Sequence, residues 1–118
     1  MTDEPTTEEP MTKEPTAVLH VSDRPEDIIR AIGTARTLHE KRPSYRLRII
    51  VNGPAVQGAT RGADAIAVPD FVAVDVCEVA LRGRGIPRGD VQEGLGTVPS
   101  AAVALVDAQA GGAAYIRV

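Results

Sequence analysis

Short apolar stretches alternate with helix-like stretches along this chain, and that alternation limits its fold more than any single residue does. Strand-length runs rich in Val, Ile, Leu and Ala occupy residues 17–21, 46–51 and 71–76, with weaker runs at 95–98 and 113–118. Several of them are nearly continuously apolar, which is typical of strands buried on both faces. The pattern predicts an α/β fold in which a parallel sheet is covered by helices on both faces.

Three helices are predicted between the strands. An apolar stripe of helical spacing follows the first strand, Asp23 and Glu26 have capping-box spacing before it, and Pro43 ends it. A second helix is predicted at about 77–84 with Gly85 as its stop, and a third at 101–110 with Ser100 as its cap. Residues 55–69 favour a short helix and a loop. The stripe of the first helix consists of Ile28, Ile29, Ile32, Ala35 and Leu38.

The first 16 residues differ in composition from the rest. They contain five acidic residues and one lysine, a net charge of −4, and a Glu-Pro pair recurs every five residues. Three prolines and the lack of an apolar face predict a disordered acidic tail, either solubilising or used for interaction. We therefore expect a tail at 1–16 and one folded domain at 17–118.

Several classes of protein are disfavoured. The chain carries a net charge of −3, so it lacks the basic density of a nucleic-acid-binding protein. One cysteine excludes an internal disulfide, and no apolar run approaches the roughly 20 residues of a membrane helix. No cluster of metal ligands or cofactor motif is evident, and residues 53–60 resemble a phosphate loop but have Ala59 where lysine is required. We expect a cytoplasmic protein without metal or cofactor.

The predicted topology brings one group of residues together. Ligands of parallel sheets bind beyond the carboxyl ends of the strands. Ser22, the Asn52-Gly53 pair and Cys77 each follow or end a predicted strand, so they are expected to converge on one site. His20 lies one residue inside the first strand and is a candidate for the same site, although a histidine in such a position is more often a hydrogen-bonded core residue.

Cys77 is the candidate reactive group, because it ends a strand and opens a helix. The partial positive charge of a helix N-terminus favours the thiolate, which is the nucleophilic form. Glu78, directly after it, is expected to oppose that effect. A buried cysteine that acts as a small hydrophobic residue is the alternative.

Five segments together resemble the DsrE/DsrF-like family of small α/β proteins. They are residues 19–22, 50–56, 77–86, 98–100 and 114–116, in that order and spacing, and the resemblance covers 17–118. It implies a three-layer α/β/α sandwich with a mostly parallel five-stranded sheet, assembled as a trimer or hexamer. Some members carry sulfur as a persulfide on a cysteine, and Cys77 matches that position.

The chain departs from the family pattern at two positions. Asn52 stands where histidine is common, which removes a proton acceptor, and Glu78 stands where a small or neutral residue is common. The leading hypothesis is a sulfur relay through Cys77, with His20, Ser22, Asn52, Gly53 and Glu78 as ligand-binding residues. Arg82 or Arg84 would recruit an acidic sulfur donor or acceptor protein. The alternative is a non-enzymatic oligomeric binding module in which Cys77 is structural.

Overall fold

A computed structural model describes residues 15–118. Five parallel strands form one sheet in the order β4-β3-β2-β1-β5, which confirms the predicted α/β architecture. The acidic tail predicted at 1–16 lies almost entirely outside the described residues. The strands are β1 (Ala17–Val21), β2 (Leu47–Val51), β3 (Val72–Cys77), β4 (Gly96–Val98) and β5 (Ala114–Arg117).

Three α-helices connect the strands: α1 (Asp27–Lys41), α2 (Glu78–Gly83) and α3 (Ala101–Ala110). The ambiguous region after β2 begins with a 3-10 helix, Gly53–Ala59. The predicted cap of α3 is confirmed, since Ser100 Oγ accepts a hydrogen bond from the Val103 backbone N–H at 3.4 Å. The predicted capping box of α1 is wrong, because α1 begins at Asp27 with no side-chain cap and Asp23 instead binds Arg117 at 2.7 Å.

The two faces of the sheet are covered unequally. Helix α1, α2 and the 3-10 helix cover one face, where the larger core contains Leu19, Ile49 and Val74. Helix α3 covers the other face, where a smaller core contains Val18 and Ile50. Because side chains alternate along a strand, the even-numbered residues of β1 and β2 and the odd-numbered residues of β3 all face α3. The candidate residues His20 and Cys77 belong to this set, and Asn52, the extended residue that follows β2, continues it.

Candidate functional site

Cys77 lies at the carboxyl end of β3 with its thiol against the start of α3. Its side chain is 4% exposed and packs in the smaller core with Ile50 and Ala101. The Sγ atom accepts a hydrogen bond from the Ala101 backbone N–H, the first residue of α3, at 3.3 Å. An N–H at a helix N-terminus has no partner within its own helix, so it is free to bind an acceptor. The sulfur therefore lies at the N-terminal end of α3, where the partial positive charge of the helix is located.

Asn52 is the residue beside Cys77 on the neighbouring strand. Val51 pairs with Val76 in the β2–β3 register, so Asn52 and Cys77 are the next residues along. Asn52 has extended backbone angles and its N–H continues the ladder to Val21, so its side chain shares the face of Cys77. Adjacent strands lie about 4.8 Å apart. The amide of Asn52 is thus the polar side chain that borders the thiol on the β2 side.

His20 connects Asn52 to the last strand. Its Nε2 atom lies 2.9 Å from Asn52 Oδ1, and its Nδ1 atom lies 2.6 Å from the hydroxyl of Tyr115 on β5. His20 is therefore a half-buried histidine whose two ring nitrogens both take part in hydrogen bonds. Tyr115 is 42% exposed, so this line of side chains runs from the surface to the neighbourhood of Cys77.

Ser22 and Gly53 shape the backbone beside the site. Gly53 has φ +57°, and a Cβ atom there would lie 2.7 Å from Ser22 Oγ and 2.8 Å from Ser22 O. Only glycine adopts this conformation without steric cost and permits so close an approach. The carbonyl of Ser22 accepts the Ala55 N–H at 3.1 Å, and Arg84 Nε donates to the Gly53 carbonyl at 3.3 Å. These contacts fix the turn that carries Asn52.

Glu78 is directed away from the thiol. Its Oε2 atom accepts hydrogen bonds from Thr97 Oγ1 at 2.8 Å and from Arg88 at 3.0 Å. Thr97 is in register with Val76, whose side chain lies in the larger core on the opposite face from Cys77. The pKa of the Glu78 carboxyl lies below its usual range, mainly because of the hydrogen bond from Thr97 and secondly because of the one from Arg88. The carboxylate expected to oppose a thiolate is therefore bound on the other side of the sheet.

A cavity borders the residues that contact Cys77. It has a volume of about 290 Å³ and reaches from Val98, which pairs with Cys77, past the first turns of α3 to Arg48. Arg48 binds Asp75 at 2.8 Å within the same face. The lining residues are Arg48, Val98, Pro99, Ser100, Val103, Ala104 and Asp107.

Two features of the site were not foreseen from the sequence. Tyr115 was not a candidate, because nothing in the strand pattern indicated that β5 pairs with β1. Ala101 contributes its backbone N–H, and the only sequence feature that points to it is the predicted helix cap at Ser100. Of the predicted residues, His20, Asn52 and Cys77 share one face of the sheet, Ser22 and Gly53 form the adjacent turn, and Glu78 is separate.

No group of three or more potential metal-ligating side chains is found in the part of the chain that the structure describes. Across residues 15–118, each helix is too short or too polar to span a bilayer.

Comparison with known proteins identifies the fold. No family model matches the chain, and no curated protein matches it in sequence. Among solved structures it is similar to the protein of unknown function MTH1491 from Methanobacterium thermoautotrophicum, with a TM-score of 0.73 and 24% identity over 86% of this chain and 97% of that one. It is also similar to the ychN protein from E. coli, with a TM-score of 0.69 and 19% identity over 88% and 99% of the two chains. These similarities support a DsrE-like fold.

Proposed function

We propose that this chain accepts and relays sulfur as a persulfide on Cys77. The observation that carries the proposal is the hydrogen bond from the first N–H of α3 to Sγ, which favours an anionic sulfur. The amide of Asn52 on the next strand adds a second polar group at the same position. The carboxylate of Glu78 is occupied elsewhere, so it does not oppose the anion directly.

The transfer is redox-neutral and requires no cofactor. The Cys77 thiolate attacks the outer sulfur of a donor persulfide, a new S–S bond forms, and the donor S–S bond breaks. The donor leaves as a thiolate, which takes a proton from solvent. In the second step an acceptor thiolate attacks the outer sulfur now on Cys77, and Cys77 leaves as the thiolate. Exposed Arg82, on α2, would attract an acidic donor or acceptor protein.

We further propose that the working form is a homo-oligomer, a trimer or hexamer, with α3 at the subunit interface. The helix carries one charged residue, Asp107, while Val103 is 59% and Val106 is 64% exposed. Exposed apolar side chains grouped on one helix indicate an interaction surface. An interface there would also border the cavity beside Cys77.

Persulfide loading tests the proposed function directly. The protein is incubated with glutathione persulfide, and intact mass is measured for the wild type and for Cys77→Ser. We expect the wild type to gain one sulfur atom and Cys77→Ser to gain none, with both proteins equally folded by circular dichroism. Because the chain has one cysteine, no other thiol can take the sulfur. Equal mass gain in both proteins, or none in the wild type, would contradict the proposal.

A non-enzymatic oligomeric binding module is the second candidate, favoured by the 4% exposure of Cys77. In that case the thiol packs as a small hydrophobic residue and the cavity beside it holds a ligand. Alkylation with small iodoacetamide and with a bulky maleimide separates the two candidates. The relay requires reaction of the native protein with at least the small reagent, whereas the binding module predicts no reaction until the protein unfolds.

A further inference from the structure

A line of side-chain hydrogen bonds crosses three strands and ends beside Cys77. It runs from the Tyr115 hydroxyl on β5 to His20 on β1 at 2.6 Å, and from His20 to the amide oxygen of Asn52 after β2 at 2.9 Å. Its first member is exposed and its last borders a buried thiol. Neither step of the proposed sulfur transfer uses these hydrogen bonds.

The hydrogen bonds of this line all point in one direction. An amide oxygen can only accept, so Nε2 of His20 must carry the proton that binds Asn52 Oδ1. In the neutral imidazole the other ring nitrogen, Nδ1, then has a lone pair and accepts the hydroxyl proton of Tyr115. Bonds that donate in sequence polarise one another and strengthen the line as a whole.

This direction determines which end of the Asn52 amide is free. Oδ1 is held towards β1 by His20, and among residues 15–118 the amide nitrogen has no hydrogen-bond partner. Cys77 lies on the opposite side of Asn52, on β3, and shares the same face of the sheet. The amide N–H group is therefore left free on the β3 side, where Sγ accepts its hydrogen bond from the Ala101 N–H.

We infer that Tyr115 and His20 are positioning residues that direct the Asn52 amide N–H at a sulfur anion on Cys77. The inference rests on the proposed function and names its anion-binding groups, which are the Ala101 backbone N–H and the Asn52 side chain. Hydrogen bonds to an ionised acceptor are roughly twice as strong as neutral ones. An asparagine thus serves the site as a donor, where a histidine would serve as a proton acceptor.

The charged groups on this face do not supply the effect instead. Arg117, in register with His20, binds Asp23 at 2.7 Å. Arg48, on β2, binds Asp75 at 2.8 Å. Each arginine is neutralised by a carboxylate, so the oriented N–H groups are the donors left for an anion at Cys77.

The tautomer of His20 is the first measurement, because the direction of the line, and with it the free end of the Asn52 amide, depends on it. Long-range nitrogen–proton correlation NMR on the wild type distinguishes the two ring nitrogens. We expect Nε2 to be protonated and Nδ1 to be the unprotonated acceptor. The chain has two histidines, so His39→Gln assigns the signals. A proton on Nδ1 of neutral His20 would overturn the inference, whatever the outcome of persulfide loading.

Reactivity of Cys77 with iodoacetamide is the second measurement. Asn52→Asp replaces the amide donor by a carboxylate. It should slow alkylation about tenfold or more, because the thiolate loses one hydrogen bond to a charged group. Tyr115→Phe should slow it by about two- to fivefold, and Tyr45→Phe is the matched control, since these are the two tyrosines. His20→Gln should retain most of the rate, because its amide can still donate to Asn52.

The outcomes separate this inference from the proposed function. If alkylation is slower in Asn52→Asp and Tyr115→Phe but the wild type takes up no persulfide sulfur, the positioning role of Tyr115 and His20 is supported and the sulfur relay is refuted. If the wild type is loaded with persulfide sulfur and alkylation is unchanged in both variants, the positioning role is refuted and the sulfur relay is supported. If Asn52→Asp does not fold, the wild-type tautomer and Tyr115→Phe decide the question.

Discussion

Replacing Gly53 by alanine should destabilise the turn that carries Asn52, and the size of the effect can be worked from the structure. A left-handed backbone costs a residue with a side chain about 1–2 kcal/mol. The new Cβ would also lie 2.8 Å from the Ser22 carbonyl oxygen, which accepts the Ala55 N–H. The Ser22 hydroxyl can rotate away, but the carbonyl can move only by weakening that bond, at about 1 kcal/mol. We expect a total loss of about 2–3 kcal/mol of unfolding free energy.

Two matched glycine-to-alanine variants separate the contributions. Gly85 has φ +68° with no atom within 4 Å of an added Cβ, so Gly85→Ala measures backbone strain alone. Gly33 lies inside α1 with open space around it, so Gly33→Ala should stabilise the protein by about 1 kcal/mol. The lower entropy of the unfolded chain is common to all three variants and cancels in the comparison.

Urea unfolding followed by circular dichroism measures all three free energies, with the slope of the transition checked for constancy. The expected order of stability is Gly33→Ala, wild type, Gly85→Ala and Gly53→Ala. If Gly53→Ala were no less stable than Gly85→Ala, the close approach to Ser22 would contribute nothing and the reasoning would be refuted.

Three other variants test separate parts of the structure. The hydrogen bond from Arg24 lowers the pKa of buried Asp27, so the ionised carboxylate stabilises the fold above the ordinary carboxyl pKa, and this contribution is lost as pH falls through the lowered pKa. Asp27→Asn should therefore flatten the acid side of a profile of unfolding free energy against pH. An unchanged slope on that side would contradict this. Val106→Glu should lower the mass measured by light scattering if α3 forms the interface, and an unchanged oligomer would exclude that surface. Gly96→Ala would place a Cβ against the Asp75 carboxylate and disrupt its pair with Arg48, at a cost of about 1 kcal/mol in urea unfolding; no loss would show that the pair shifts freely.

The architecture could be predicted because it depends on periodicity. Strands buried on both faces carry no alternation, and α1 carries an apolar stripe, so each element type has its own signature. The cap at Ser100 is equally local. The pairing of Asp23 with Arg117 was not predictable, because it joins residues far apart in the chain and overrides the local capping pattern.

The candidate site could be predicted in part. The carboxyl ends of parallel strands meet at one edge whatever their order, so His20, Asn52 and Cys77 could be grouped from the sequence alone. The direction of Glu78 could not, since it depends on Thr97 and Arg88 on segments that fold beside α2. The contact between Tyr115 and His20 depends on the order of the strands, and periodicity does not specify which strand pairs with β1.

The position of β5 affects how this chain is synthesised as well as how it works. Strand β1 is the first described strand to leave the ribosome, yet one of its edges pairs only with β5, the last, through bonds such as Ala114 N–H to Thr16 O at 2.9 Å. Until then an apolar strand has an open edge, which is a template for association between chains. Nascent chains interrupted before residue 114 should therefore aggregate through β1 and depend on chaperones, while chains that extend past Tyr115 close the sheet and the hydrogen-bonded line in one step.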